Sequence, residues 1–396
     1  LTEKLFTYLK GDRTIWVIAI LLSIISLLAV YSSISSLAHK YHDGNTFYYL
    51  IKHVIMLGTG FVIMFYVHRM QFKYFYRLSQ LLFVAAVILL ICTLFFGPTV
   101  NEANRWLTIP IINQSFQTSD LAKIVLVVYL ARLLTQKKET IRDFKTGFLM
   151  ILPPVIVICG LILPANFSTA ALLFFTCLVI MFTAGVRLVH IFSLIGVAIM
   201  GFIMLLVVET AVPGTLPRLE TWKARIDRFI GIGDAEQTTT SIQENYQVQM
   251  AKIAIYNGGF APSLPGHAAS RNYMPHPYSD MIYAFIIEEY GSIIGGLGLL
   301  ILYLILFFRI IKIALASQKT FNKLVVLGLG FMMIFQAMVN MAVAVNLFPV
   351  TGQPLPMVSM GGTSVWFTCI ALGIILSVSR QQSEHGVGTK SASSFA

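Results

Sequence analysis

The chain has 396 residues, of which 57% are apolar and 11% charged, against roughly 45–50% and about 25% in an ordinary soluble domain. That balance excludes a water-soluble globular fold and indicates an all-α integral membrane protein. The formal charge of +11 is no nucleic-acid footprint, because Lys and Arg stand singly beside apolar runs, where they set orientation and meet anionic lipid headgroups.

Residues 1–13, with Lys4, Lys10 and Arg13, form a cytoplasmic N-terminal segment. The apolar run that follows is too long for a signal peptide and lacks a small-residue cleavage pattern, so it reads as a retained first helix. One hydrocarbon crossing needs about 20 apolar residues, and runs of that order predict ten spans: 14–36, 47–67, 75–96, 119–134, 146–163, 168–184, 188–209, 280–308, 321–347 and 364–379. The fourth reaches only about 24 Å at 1.5 Å per residue, so it needs thinned lipid or shielding by protein. With the N-terminus inside, cytoplasmic segments collect Arg69, Lys73, Arg77, Lys137, Lys138, Arg142, Lys145, Arg309 and Lys312, while short outer loops hold little beyond Lys40 and Arg105. Both termini are then cytoplasmic.

Spans one to seven occupy 14–209 and spans eight to ten 280–379. Between them lies a long extracytoplasmic loop, 210–279, of a length that usually carries function. Within it Leu219, Trp222, Ile226 and Phe229 recur at helical spacing beside Arg218, Lys223, Arg225 and Arg228, the pattern of a helix lying on anionic lipid. A second stretch, 246–256, ends at Gly258-Gly259 before a Pro-rich turn, as in a helix that dips inward and returns. The Ser/Gly-rich tail, 380–396, has the composition of disorder. Cys92, Cys159, Cys177 and Cys369 all sit in apolar runs without a CxxC pair and read as small core residues.

No Walker A, GxGxxG or zinc-ligand spacing occurs, so an enzyme of this kind must act on a substrate already in the membrane. Its candidate residues are polar groups at the outer ends of helices. Asp280 opens the eighth span, where an acid serves as a helix cap or as a catalytic group. Glu288 and Glu289 lie about two turns deeper, either paired with a buried Arg or Lys or functional. Asn104-Arg105-Trp106 reads as an interfacial Trp with a snorkelling Arg or as a site, and Asp120 and Lys123 can pair at i, i+3. The run 351–364 is a dense turn signal whose glycines let backbone amides approach an anion.

The run Met274-Pro275-His276-Pro277-Tyr278-Ser279-Asp280-Met281-Ile282-Tyr283-Ala284, followed by Glu288-Glu289-Tyr290-Gly291, resembles the signature of the SEDS proteins (shape, elongation, division and sporulation). Asn104-Arg105-Trp106, the Gln-x-Ser-Asp-Leu-Ala-Lys of 117–123, Tyr246-Gln247 and the Pro-Leu-Pro-x-Val-Ser-x-Gly-Gly-Thr-Ser of 354–364 resemble its other blocks in the right order. The resemblance implies a peptidoglycan glycosyltransferase of the bacterial cytoplasmic membrane, polymerising lipid II onto a growing glycan strand beside a class B penicillin-binding protein transpeptidase. Asp280 is then the catalytic residue, and the matching positions Arg105, Trp106, Asp120, Lys123, Tyr246, Gln247, His276, Ser279, Glu288, Ser359, Gly361 and Gly362 are candidates for binding substrate. The forms His-Pro-Tyr-Ser-Asp and Pro-Ala-Asn-Phe-Ser-Thr (164–169) are closer to the branch serving the division septum, with other divisome membrane proteins as partners, than to the branch serving lateral-wall elongation. The family usually has Glu at 120, and Asp and Gly where Asn166 and Ser168 stand, so no role is carried to Asn166.

In such a reaction the 4-hydroxyl of an incoming lipid-linked disaccharide displaces undecaprenyl diphosphate from an anomeric carbon. The diphosphate leaves once its charge is neutralised, so one carboxylate that takes the hydroxyl proton suffices, unlike the carboxylate pair of glycosidases. No cofactor is otherwise implied. Arg105, Lys123 and the basic loop helix, or a divalent cation, Mg or Mn, can supply the positive charge. The short fourth span would leave a lateral groove for the lipid tail. The alternatives are a flippase for the same precursor, drawing a polar path from Glu288, Glu289, Gln336, Asn340 and Asn346; a non-catalytic scaffold; and an ion-coupled transporter, which the lack of paired broken helices disfavours.

Overall fold

A computed structural model describes residues 9–34, 46–100, 103–109, 114–211, 221–223, 225, 226, 229, 239–260, 265–274 and 278–393. The helices in chain order are α1 (Arg13–Ser33), α2 (Thr46–Arg69), α3 (Phe72–Phe96), α4 (Thr118–Gln136), α5 (Leu149–Ile162), α6 (Phe167–Ala184), α7 (Leu188–Ala211), α8 (Thr239–Gly258), α9 (Ile282–Tyr290), α10 (Leu299–Leu315), α11 (Thr320–Ala344) and α12 (Ser364–Ser393). Among the described residues, nine helical segments are long and apolar enough to cross a membrane. Helix α4, the fourth predicted span, is not one of them, since it carries Asp120, Lys123 and Arg132. Most of it is buried from Thr118 to Leu134, which is the shielding by protein that its sequence demands. Apolar side chains such as Phe95, Val189 and Met204 face outward, whereas Ser26, His53 and Asn340 are buried. Hydrocarbon favours this arrangement, because no polar group on a lipid-facing surface finds a partner there.

The chain forms two compact units, residues 1–72 with 238–396, and residues 73–237. In the first, α2 packs along α12, α10 along α11, and α8 along α9. A stripe of Ala251, Ala254 and Gly258 is buried on α8. A Cβ at Gly258 would fall 2.2 Å from Ile287 O, so α8 and α9 meet backbone to backbone. Asp12 caps α1, accepting from Thr14 N at 2.9 Å, and pairs with Arg309 Nη2 at 2.5 Å, while Lys10 meets Glu384 at 3.3 Å. The N-terminal segment and the last helix thus share one end of this unit.

Helix α8 is the helix expected over 246–256, and it runs longer than the apolar stretch. The eighth predicted span proves to be broken. Helix α9 stops at Gly291 (φ 77°), and the π-helical segment Gly291–Gly298, with the sequence GSIIGGLG, precedes α10. Glycine has low helix propensity and adopts positive φ without strain, which accounts for the break. Past Arg380, α12 continues to Ser393, and Gln382 Nε2 donates to Ile313 O at 2.8 Å. Of the basic interfacial helix, Trp222, Lys223, Arg225, Ile226 and Phe229 are helical, and its other members lie outside the described residues.

In the second unit α4 packs on α5 and α6. Ahead of α4 stand two antiparallel hairpins, β1 (Thr99–Val100) with β2 (Ala103–Asn104), and β3 (Trp106–Ile109) with β4 (Gln114–Gln117), the latter in register from Trp106 opposite Gln117 to Ile109 opposite Gln114. Asn166 caps α6 by accepting from Thr169 N at 3.2 Å.

Candidate active site

Asp280 lies in the turn just before α9, half-buried, and its backbone is held from several sides. Met360 N donates to Tyr278 O at 2.9 Å, Ser359 Oγ to Ser279 O at 2.7 Å, and Asn340 Nδ2 to Asp280 O at 2.9 Å. Ser279 Oγ donates to Asp280 Oδ1 at 2.9 Å. Gly352, at φ 64°, stands against the other carboxylate oxygen, since a Cβ there would lie 3.6 Å from Asp280 Oδ2. The predicted residues Ser279, Asp280 and Ser359 are therefore brought together, with Asn340 and Gly352 beside them.

The segment 353–360 that performs this holding is itself irregular, and buried irregular backbone must find partners for its carbonyls. Three come from helix side chains. Asn340 Nδ2 donates to Gln353 O at 2.8 Å, Gln336 Nε2 to Pro354 O at 2.8 Å, and Tyr303 Oη to Pro356 O. Leu355 N in turn donates to Ser359 Oγ at 2.8 Å, closing a tight turn. Gly361 is packed into that turn, where a Cβ would meet Ser364 Oγ at 2.4 Å, and Gly362 has φ 57° with open space around it.

Glu288 and Glu289 are buried, and both accept hydrogen bonds from neutral donors. Glu288 accepts from Ser270 N at 3.2 Å, Asn257 Nδ2 at 3.4 Å and Ser270 Oγ. Glu289 accepts from Gly266 N at 2.8 Å and from Ser32 Oγ. Both carboxylates thereby pin the chain of 266–270 onto α9 and α1. Tyr246 is exposed and Gln247 half-buried on α8; His276 lies outside the described residues. Among those residues no three His, Cys, Asp or Glu side chains gather as a metal site.

The remaining candidates belong to the second unit. Asp120 Oδ1 and Lys123 Nζ pair at 2.8 Å, with 8% and 7% of their side chains exposed. Arg105 Nε donates to Ala165 O at 2.7 Å, and Trp106 is half-buried in β3. Beside them, at the start of α4, is a small cavity of about 20 Å³. One wall is apolar (Leu90, Leu94, Leu161, Ile162), and the other polar (Thr93, Asn104, Arg105, Thr118, Ser119, Asn166).

Similarity to known proteins extends over most of the chain. The FtsW/RodA/SpoVE family model, described as a cell cycle protein, matches residues 12–384. A probable peptidoglycan glycosyltransferase FtsW of Trichlorobacter lovleyi is 32% identical over 382 residues, covering 95% of each chain. Stage V sporulation protein E of Bacillus subtilis is 29% identical, covering 93% of this chain and 97% of that one. Among solved structures, a chain from a peptidoglycan synthase complex that coordinates polymerization and crosslinking superposes with a TM-score of 0.71 at 23% identity, covering 94% of this chain and 98% of that one. The rod shape determining protein RodA of Thermus thermophilus superposes with a TM-score of 0.64 at 21% identity, covering 94% and 97%.

Proposed function

The chain belongs to the FtsW/RodA/SpoVE family of cell cycle proteins, and from that premise we propose that it is a membrane peptidoglycan glycosyltransferase that polymerises lipid II, with Asp280 as its base. The observation that carries the assignment is the treatment of Asp280. Its backbone is fixed by Asn340, Ser359 and Met360 while its carboxylate stays half-buried beside Ser279 Oγ and Gly352. A carboxylate used only as a cap has no need of so rigid a mount, whereas one that must reach a sugar hydroxyl does.

The 4-hydroxyl of the acceptor attacks the anomeric carbon, the bond to undecaprenyl diphosphate breaks, and Asp280 takes the hydroxyl proton. Developing charge on the diphosphate needs a fixed positive group. A Mg or Mn ion would supply such charge, and Asp280 would be a residue able to help hold it. The FtsW relative at 32% identity supports a role at the division septum. A class B penicillin-binding protein transpeptidase would crosslink the new strand, and both termini would be cytoplasmic.

The test is polymerisation of purified lipid II by this protein together with its class B transpeptidase, native against Asp280→Asn. Glycan strands from the native protein and none from a folded, partner-bound variant support the reading. Equal polymerisation by both removes Asp280 from the mechanism.

A further inference from the structure

Ser26 on α1 and His53 on α2 are both buried, and neither touches the carboxylate of Asp280 through any contact described above. Ser26 Oγ lies 2.7 Å from Val358 O and 2.8 Å from His53 Nε2. A serine hydroxyl has one proton to give, and two oxygens at 2.7 Å repel unless that proton lies between them. Ser26 therefore donates to Val358 O, and His53 donates its Nε2–H to Ser26 Oγ. The tautomer follows from the geometry, and the imidazole leaves Ser26 no other orientation.

The recipient of this chain of bonds is the turn that holds Asp280. Val358 lies between Met357, whose φ is 65°, and Ser359, whose hydroxyl donates to Ser279 O. A non-glycine residue keeps a left-handed backbone only where its surroundings over-determine it. The carbonyls of Gln353, Pro354 and Pro356 are held from α10 and α11, and Ser26 adds an anchor from the opposite end of the sequence. Resting on the role proposed for Asp280, we infer that His53 and Ser26 are positioning residues. Their relay fixes the 357–359 turn and, through Ser359, the backbone of Ser279 and Asp280.

The experiment is steady-state lipid II polymerisation by the protein in complex with its class B transpeptidase, with thermal unfolding and partner retention measured on each variant. Ser26→Ala and His53→Leu are expected to lower kcat by about tenfold or more with KM within about twofold, since small misplacements of a reacting group are costly. His53→Gln, whose amide can place an N–H where the Nε2–H stood, is expected to recover most of the loss. The double variant Ser26→Ala/His53→Leu should fall no further than Ser26→Ala alone, because both act through one bond to Val358. Full activity of Ser26→Ala beside a dead Asp280→Asn overturns the relay and leaves the base in place, whereas full activity of Asp280→Asn overturns the reading beneath it. Equal losses in His53→Leu and His53→Gln, or additive losses in the double variant, also overturn the relay. Should Ser26→Ala not fold, the two His53 variants decide.

Discussion

Replacing Asn340 with Asp exchanges one amide nitrogen for an oxygen, yet it is expected to harm the site more than replacement with Leu. Asn340 is 1% exposed, and its Nδ2 donates to Asp280 O at 2.9 Å and Gln353 O at 2.8 Å, while its buried Oδ1 has no hydrogen-bond partner. The amide cannot be turned over, because Oδ1 would then face two carbonyl oxygens. Asn340→Leu orphans two buried carbonyls at about 1–3 kcal/mol each and removes one orphaned oxygen of similar cost, for a net loss of about 1–3 kcal/mol. Asn340→Asp removes both donors and aims an uncompensated buried charge at the same carbonyls, a loss of about 3–5 kcal/mol. Unfolding of the purified protein in detergent, followed by temperature and by denaturant, measures the order, and lipid II polymerisation measures the consequence at Asp280. An Asn340→Asp protein as stable as the Leu variant would refute the claim that this side chain serves as a double donor.

In the second unit, Asp120→Asn removes the negative charge paired with the buried ammonium of Lys123 at 2.8 Å and is expected to cost about 3–5 kcal/mol, most of it recovered in the apolar pair Asp120→Leu/Lys123→Met; a double variant no more stable than the single would contradict this in thermal unfolding. Gly258→Ala drives a methyl to 2.2 Å from Ile287 O and must separate α8 from α9, whereas Gly160→Ala meets nothing within 4 Å. The first is expected to destabilise by about 1–3 kcal/mol and the second to stabilise by about 0.5–1 kcal/mol through helix propensity, and equal melting temperatures would rule out the backbone contact.

Spans were legible because a series of apolar runs of membrane length does not arise in water-soluble folds, and Asp280, Ser279 and Ser359 were legible through their motifs. What escaped the sequence is of two kinds. The hairpins at 99–117 escaped because strands of two to four residues leave no alternating pattern. Ser26, His53 and Gly352 escaped because their roles depend on contacts between distant parts of the chain, such as Ser26 with Val358, and a lone Ser, His or Gly in an apolar helix or turn carries no local signal of a distant carbonyl. Glu288 and Glu289 were expected either to meet a buried Arg or Lys or to do chemistry. They accept from Gly266, Ser270, Asn257 and Ser32, donors that no spacing rule foretells, while Arg271 is close enough to act on Glu289 electrostatically, in line with the expected cationic partner.

These commitments bear on the strongest rival function, passage of the lipid-linked precursor through the membrane. Such a path would need polar groups in the spans that are available to a moving headgroup, and five residues supply the material. Gln336 and Asn340 have their donors on Pro354 O, Gln353 O and Asp280 O. Glu288 and Glu289 hold the segment 266–270. Asn346, at φ 58° with its N–H on Val343 O, terminates α11 in the conformation Asn tolerates at helix ends. Gln336 and Asn340 support the irregular backbone around Asp280, Glu288 and Glu289 that of 266–270, and withdrawing any of these four to solvate a passing diphosphate would leave buried carbonyls or amides unpaired at about 1–3 kcal/mol apiece. These polar groups thus serve as fixed supports of irregular backbone, which fits an enzyme acting at the membrane surface better than a path for a moving headgroup. Movement of lipid II across vesicles by the Asp280→Asn protein at the native rate, with polymerisation absent in both, would reverse that conclusion.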